Sequence, residues 1–187
     1  MKSIQKILLM CLLAFAAIAC NTEPSLQKYY VEKQNDANFI VIDVPASLFL
    51  GSNSTLSEEQ QTALKSIEKA NVLAFPISGD NQEIFEKEKE NVDQIFTQKK
   101  YKLLFRMGSV AKGVRLMYLG EEDAIDEFIL YGVHNEKGFA VARILGDDMN
   151  PGAIMKLMKS AGEGDIDVNM SAFDQLDDIL EDKDSVQ

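Results

Sequence analysis

The run Tyr101–Leu145, YKLLFRMGSVAKGVRLMYLGEEDAIDEFILYGVHNEKGFAVARIL, decides the fold. Four stretches within it, Tyr101–Met107, Val114–Leu119, Glu127–His134 and Phe139–Leu145, alternate with a period of two, the pattern of strands with one buried face. The joins are short and carry glycine: Gly108–Gly113, the acidic loop Gly120–Asp126, and Asn135–Gly138. Such joins make hairpins, so the four strands form an antiparallel meander. In the last strand Ala140, Ala142 and Ile144 share one face, where small side chains let helices approach. Phe139, Val141 and Arg143 share the other, with Lys102, Arg106 and Arg115 matching by sign. Helices are expected on the alanine side, and a partly exposed basic-apolar face, offered for partner binding by Lys102, Arg106, Arg115 and Arg143, on the other.

Working outward, Asn38–Val44 is a β-rich apolar run stopped by Pro45. In the loop that follows, Leu48, Phe49 and Leu50 suggest a helical turn against the core. Ser57-Glu58-Glu59-Gln60 fits a capping box, in which the Ser oxygen and the Gln side chain satisfy exposed backbone donors. Ala63, Leu64, Ile67 and Ala70 recur behind it at helical spacing. Asn71–Ile77 is a second strand. Asp80 with Glu83 opens a helix to about Gln98 with a buried stripe of Ile84, Phe85, Val92, Ile95 and Phe96, its Glu86–Glu90 charges on a solvated face. After the meander, Asn150 as N-cap, Pro151 at the first position and Gly162 beyond the end frame a helix bearing Ile154, Leu157 and Met158. A final amphipathic segment places Phe173, Leu176, Ile179 and Leu180 on one side. The expected fold is α+β: a four-stranded antiparallel meander extended by two further strands through helical crossovers, with helices mainly on one face. The domain spans 38–162, preceded by a tether and lead-in helix (20–37) and followed by an acidic amphipathic segment (163–187).

At the N-terminus Met1–Lys6 is basic and Ile7–Ile18 is a twelve-residue apolar run. As a helix it would rise about 18 Å, short of the roughly 30 Å hydrocarbon core, so residues 1–19 read as a signal peptide and not as a membrane span. The ending Ala17-Ile18-Ala19-Cys20 resembles a bacterial lipoprotein signal, which implies cleavage after Ala19, a lipid on the Cys20 thiol and an acylated new amine (palmitate chemistry). Asn21 and a single Glu23 after the cysteine lean towards an outer-membrane lipoprotein facing the periplasm. Cys11 would leave with the signal, so the mature chain has no free thiol and no disulfide.

Net charge is −11 over 187 residues. Without Lys2 and Lys6, seventeen bases face thirty acids, a charge of −13 that repels nucleic acid. The single histidine removes multi-histidine metal centres. The charge is uneven: Gln94–Gly120 holds six bases and no acid, Glu163–Gln187 nine acids and one base. The acidic segment is therefore open to three readings: it docks on the basic region, meets a partner of its own, or is frayed acidic surface.

FIVIDVPASLF (39–49), the meander from Arg115 to Asp148 and the helix after it resemble a family of Bacteroidota lipoproteins catalogued as domain of unknown function 4252. The likeness spans Leu26 to Met158, its signature being Glu127-Phe-Ile-Leu in one strand and Ile144-Leu145-Gly146-Asp147 closing the next. It implies an envelope lipoprotein with an α+β domain and carries no catalytic motif.

No catalytic, cofactor or metal residue is assigned. His134 at a hairpin end is a lone titratable group with a structural role. Asp165–Ser171 begins like a calcium loop, but Met170 replaces the required glycine and Leu176 the closing glutamate. Glu121, Glu122, Asp123 and Asp126 form a solvated loop. Asn53-Ser54-Thr55 and Asp184-Ser185-Val186 match glycosylation acceptors by composition alone. The expected function is a non-enzymatic envelope lipoprotein, anchored to the membrane through Cys20, whose basic sheet face binds a protein or other anionic or amphipathic partner; no cofactor and no nucleic acid is implied. The alternatives are an accessory regulator of envelope-stress signalling and a hydrolase working through paired carboxylates.

Overall fold

The computed structural model describes residues 23–48 and 56–163. The signal, Cys20, Phe49 and Leu50, the Asn53–Thr55 match and the acidic segment from Gly164 onward lie outside them. The elements run α1 (Leu26–Lys33), β1 (Ile40–Pro45), a 3-10 turn (Ala46–Leu48), α2 (Glu58–Lys65), β2 (Ile67–Pro76), α3 (Gln82–Ile95), β3 (Lys102–Gly108), β4 (Lys112–Gly120), β5 (Ile125–His134), β6 (Gly138–Met149) and α4 (Pro151–Glu163). The six strands form one sheet in the order β1-β2-β6-β5-β4-β3, and every neighbouring pair is antiparallel. The architecture is α+β, with the meander β3–β6 extended past β6 by β2 and β1.

Cross-strand partners project to the same face, so the registers assign both faces. One carries three rows across all six strands: Ile40-Ala74-Ala140-Gly132-Val114-Met107, Ile42-Val72-Ala142-Leu130-Leu116-Phe105 and Val44-Ala70-Ile144-Phe128-Tyr118-Lys102. The other carries rows such as Val41-Leu73-Val141-Tyr131-Arg115-Arg106.

The helices divide between these faces, a departure from the expectation that the Phe139–Val141–Arg143 side is open. On that side α1 contributes Leu26 and Tyr29, and α3 contributes Phe85, Val92 and Ile95, to a cluster with Leu73, Phe75, Ile129, Tyr131, Phe139 and Val141. Size explains the choice: Phe75, Phe85 and Phe139 form an aromatic triangle with centroids 5.7–6.1 Å apart, and such rings need a helix layer to leave water. On the alanine side, among the described helices, α2 and α4 cover one end. There Ala63, Ile154 and Leu157 pack on Leu116, Tyr118 and Phe128, with Ile144 at the margin. The lead-in helix α1 is thus part of the domain core.

Local readings fare differently. The capping box at Ser57 is present, with Ser57 N–H donating to Gln60 Oε1 (2.9 Å) and Gln60 N–H to Ser57 Oγ (3.3 Å). The helix behind it ends at Lys65, because Ile67 and Ala70 are drawn into β2 by pairing with Gly146 and Ile144 of β6. Helix α3 stops at Ile95, and its phase puts Ile84 outside and Glu88 inside, reversing two expected positions. Asn150 caps α4 as expected, accepting from Ala153 N–H at 2.9 Å, while Gly162 falls inside the helix. The β5–β6 hairpin closes at Gly138, whose φ of +119° and close approach to the Phe75 carbonyl exclude any side chain.

Candidate binding surface

Helices α2 and α4 cover one end of the alanine face, and no other helix among the described residues packs on its far end. Ala74, Ala140 and Gly132 lie side by side on β2, β6 and β5, and three minimal side chains in one row leave a trough. It widens into a groove of about 860 Å³ between the β5–β6 turn and the β3–β4 turn, walled by Met107 and Val114 and rimmed by Lys112 and Lys137. Gly132 faces open space: a Cβ there would meet no atom within 4 Å. The β5–β6 turn also brings His134 and Glu136 to the rim. His134 Nδ1 accepts the Glu136 N–H at 3.2 Å, a turn-closing bond.

The groove runs out onto β3, the last strand of the sheet. Leu103, Leu104, Phe105 and Met107 are all exposed, Met107 by 66%, and Val110 at the hairpin tip by 78%. Among the described residues nothing pairs with the outer edge of β3. An unpaired edge bearing four large apolar side chains is a template for another chain.

The four cations expected to bind a partner separate into two groups. Lys102 and Arg106 lie on β3, Arg106 exposed and Lys102 partly, its ammonium 5.4 Å from the Tyr118 ring centre and 3.0 Å from the Gly120 carbonyl. Arg115 and Arg143 are structural. Arg115 is paired with Asp93 of α3, its guanidinium 4.6 Å from the Tyr131 ring centre and 5.7 Å from that of Phe96. Arg143 is 4% exposed, gripped by Glu127 through Nε–Oε1 (2.6 Å) and Nη2–Oε2 (3.0 Å), and by Gln27 of α1 at 2.7 Å. Helices α1 and α3 cover the face both arginines share, which buries Arg143 and leaves the Arg115 side chain 23% exposed.

A second polar cluster fastens α1. Glu88 of α3, expected on the solvated face, accepts from Tyr29 Oη (2.8 Å), Lys33 Nζ (2.6 Å) and Asn91 Nδ2 (3.2 Å). Burial alone would raise its carboxyl, but these three donors and the Lys33 charge outweigh burial and hold it below the usual range. Asp36, bonded by the Asn38 N–H against a smaller opposing burial effect, is also lowered. Burial raises the phenols of Tyr29, Tyr30, Tyr101 and Tyr131, helped at the first two by the carboxylates of Glu88 and Asp43 and at the last by the Asp93 charge.

Lowered carboxylates contribute stability that is complete above their unfolded values, near 4, and lost as pH falls through the folded ones; raised phenols contribute stability complete below about pH 10 and lost above it. Stability should therefore be flat between about pH 5 and 9. Absorbance of tyrosinate should appear above pH 10 in step with loss of circular dichroism; four phenols ionising before any unfolding would contradict this burial.

Among the described residues no group of three or more His, Cys, Asp or Glu could hold a metal, and no helix is long and apolar enough to cross a membrane. Among the described residues, Glu136 is the one carboxylate lining the groove. The family model described as "Domain of unknown function (DUF4252)" matches residues 29–157, most of the described fold. The chain belongs to the DUF4252 family. The match begins inside α1 and ends inside α4, so the family unit comprises the whole six-stranded sheet and both helix layers, with α1 in the core. No curated protein and no solved structure matches the chain. In hindsight Gly132 was the sequence signal for the groove: a glycine inside a strand pattern marks a bulge, a close approach or a missing side chain.

Proposed function

We propose that this domain is a non-enzymatic binding module of a lipid-anchored envelope protein, and that it takes an extended, amphipathic, acidic segment of a protein partner along β3 and into the groove. The observation carrying this reading is the continuity of the Ala74–Ala140–Gly132 trough with the exposed apolar edge of β3. An added strand would bond to the free edge of β3, set alternate apolar side chains beside Phe105 and Met107, and meet the charges of Lys102, Arg106 and Lys112. The anchor reading is supported by the Ile7–Ile18 run closing on Ala19-Cys20, and Asn21 after it favours the periplasmic leaflet of the outer membrane.

Two variants test the surface without touching the core. Gly132→Leu fills the trough from a backbone position with room for a side chain. Lys102→Glu with Arg106→Glu reverses the edge charge; Arg115 is left alone because its pairing with Asp93 belongs to the fold. In crosslinked cells each variant should recover at least tenfold less of the partner that the wild-type chain recovers, with its melting temperature held. Undiminished recovery from both variants would refute the surface.

A further inference from the structure

The tether fixes which end of the domain meets the membrane. The Pro24 carbonyl accepts from Gln98 Nε2, and the Leu26 N–H donates to Tyr101 Oη at 2.9 Å in a buried bond. The chain thus enters the domain at the α3–β3 turn, whose Thr97, Lys99 and Lys100 are exposed. Tyr101 precedes Lys102, which pairs with Tyr118, whereas the groove lies where Gly108 pairs with Gly113 and His134 with Lys112. Entry point and groove are therefore at opposite ends of the strands. Between Lys112 and Tyr118 the backbone rises about 20 Å, at roughly 3.4 Å per residue, and the Glu136–Lys137 turn extends beyond that. From Cys20 to Pro24 the chain passes only Asn21, Thr22 and Glu23. Fully extended, that reach is about 14 Å.

We infer that the domain stands on a phospholipid headgroup surface at its α3–β3 turn, with Lys99 and Lys100 beside the lipids, and that the groove opens away from the membrane towards a partner in the aqueous compartment. This rests on the reading of Cys20 as the lipid anchor. With the groove turned down, Pro24 would sit higher than the tether can reach. Charge is secondary to tether length, because the acidic β4–β5 turn, with Glu121, Glu122 and Asp123, is at the same end.

The lipidated full chain, purified from membranes, is reconstituted into phosphatidylethanolamine–phosphatidylglycerol vesicles carrying a headgroup quencher. Loss of Cys11 with the signal and alkylation of Cys20 make one introduced thiol unique. Fluorophores on Lys99→Cys and Lys137→Cys variants report the two ends. Lys99→Cys should be quenched at least twofold more than Lys137→Cys, and a ten-residue Gly-Ser insertion after Thr22 should shrink the difference. Intact mass and vesicle flotation, with Cys20→Ser as control, read the anchor separately. A lipidated chain quenched equally at both ends, or more at Lys137→Cys, overturns the posture alone; a chain without lipid overturns the anchor and the posture together.

Discussion

Glu127→Ala should lower the unfolding free energy by about 3–5 kcal/mol, the cost of leaving a buried charge without its partner. Arg143 is 4% exposed and Glu127 8%, and two of the guanidinium's three short bonds go to that carboxylate. With alanine in place the guanidinium keeps only Gln27, and water has little access to replace the loss. Small domains are stable by about 5–15 kcal/mol, so the variant should show a large drop in urea midpoint. Removing both charges, as in Glu127→Met with Arg143→Leu, should recover most of the loss, since apolar pairs of similar volume often replace buried ion pairs at no net cost. A loss below about 1 kcal/mol in the single variant would mean that the pair is solvated.

Phe85→Ala should cost a similar amount, about 3–5 kcal/mol, by opening a cavity among Phe75, Phe139 and the sheet. Its side chain is fully buried, with both rings 6.1 Å away by centroid. The comparison that gives the experiment its edge is Ile84→Ala, one position earlier on an exposed site, expected to change stability by no more than about 0.5 kcal/mol. Equal effects at the two positions would contradict the phase assigned to α3.

That phase shows where sequence reading stops. The strands of the meander were legible because alternation is a local signal, and β3 to β6 begin or end within a few residues of the expected limits. The same holds for the Ser57 and Asn150 caps, whose chemistry is complete within four residues. What sequence could not show was set by partners far along the chain. Ile67 and Ala70 fit helical spacing behind Ala63, but β6 claims them for β2 across more than seventy residues. Glu88 looked like one charge among five on a wet face; Tyr29 and Lys33 of α1 make it the acceptor of a buried cluster. Its burial follows from α1 packing beside α3, which no local pattern announces.

The surface proposed for binding was half legible. Sign alone grouped Lys102, Arg106, Arg115 and Arg143, but the registers put Lys102 on the alanine face and the three arginines on the other, and among the described residues the two on the edge strand are outside any ion pair. The other two failed the grouping because the aromatic residues of their own face, Phe75, Phe139 and Tyr131, draw α1 and α3 over it. The groove lies instead at the far end of the alanine side, where no helix among the described residues packs on the small side chains.

In-cell photocrosslinking from the β3 edge tests the central claim most directly. A photoreactive phenylalanine analogue at Phe105 or Met107, compared with one at Ile84 on the exposed side of α3, reports what lies against each surface. The account predicts a discrete adduct of one added protein from Phe105 and Met107, absent at Ile84 and lost on adding Gly132→Leu. The same adducts from Ile84, or none from the β3 positions, would contradict it.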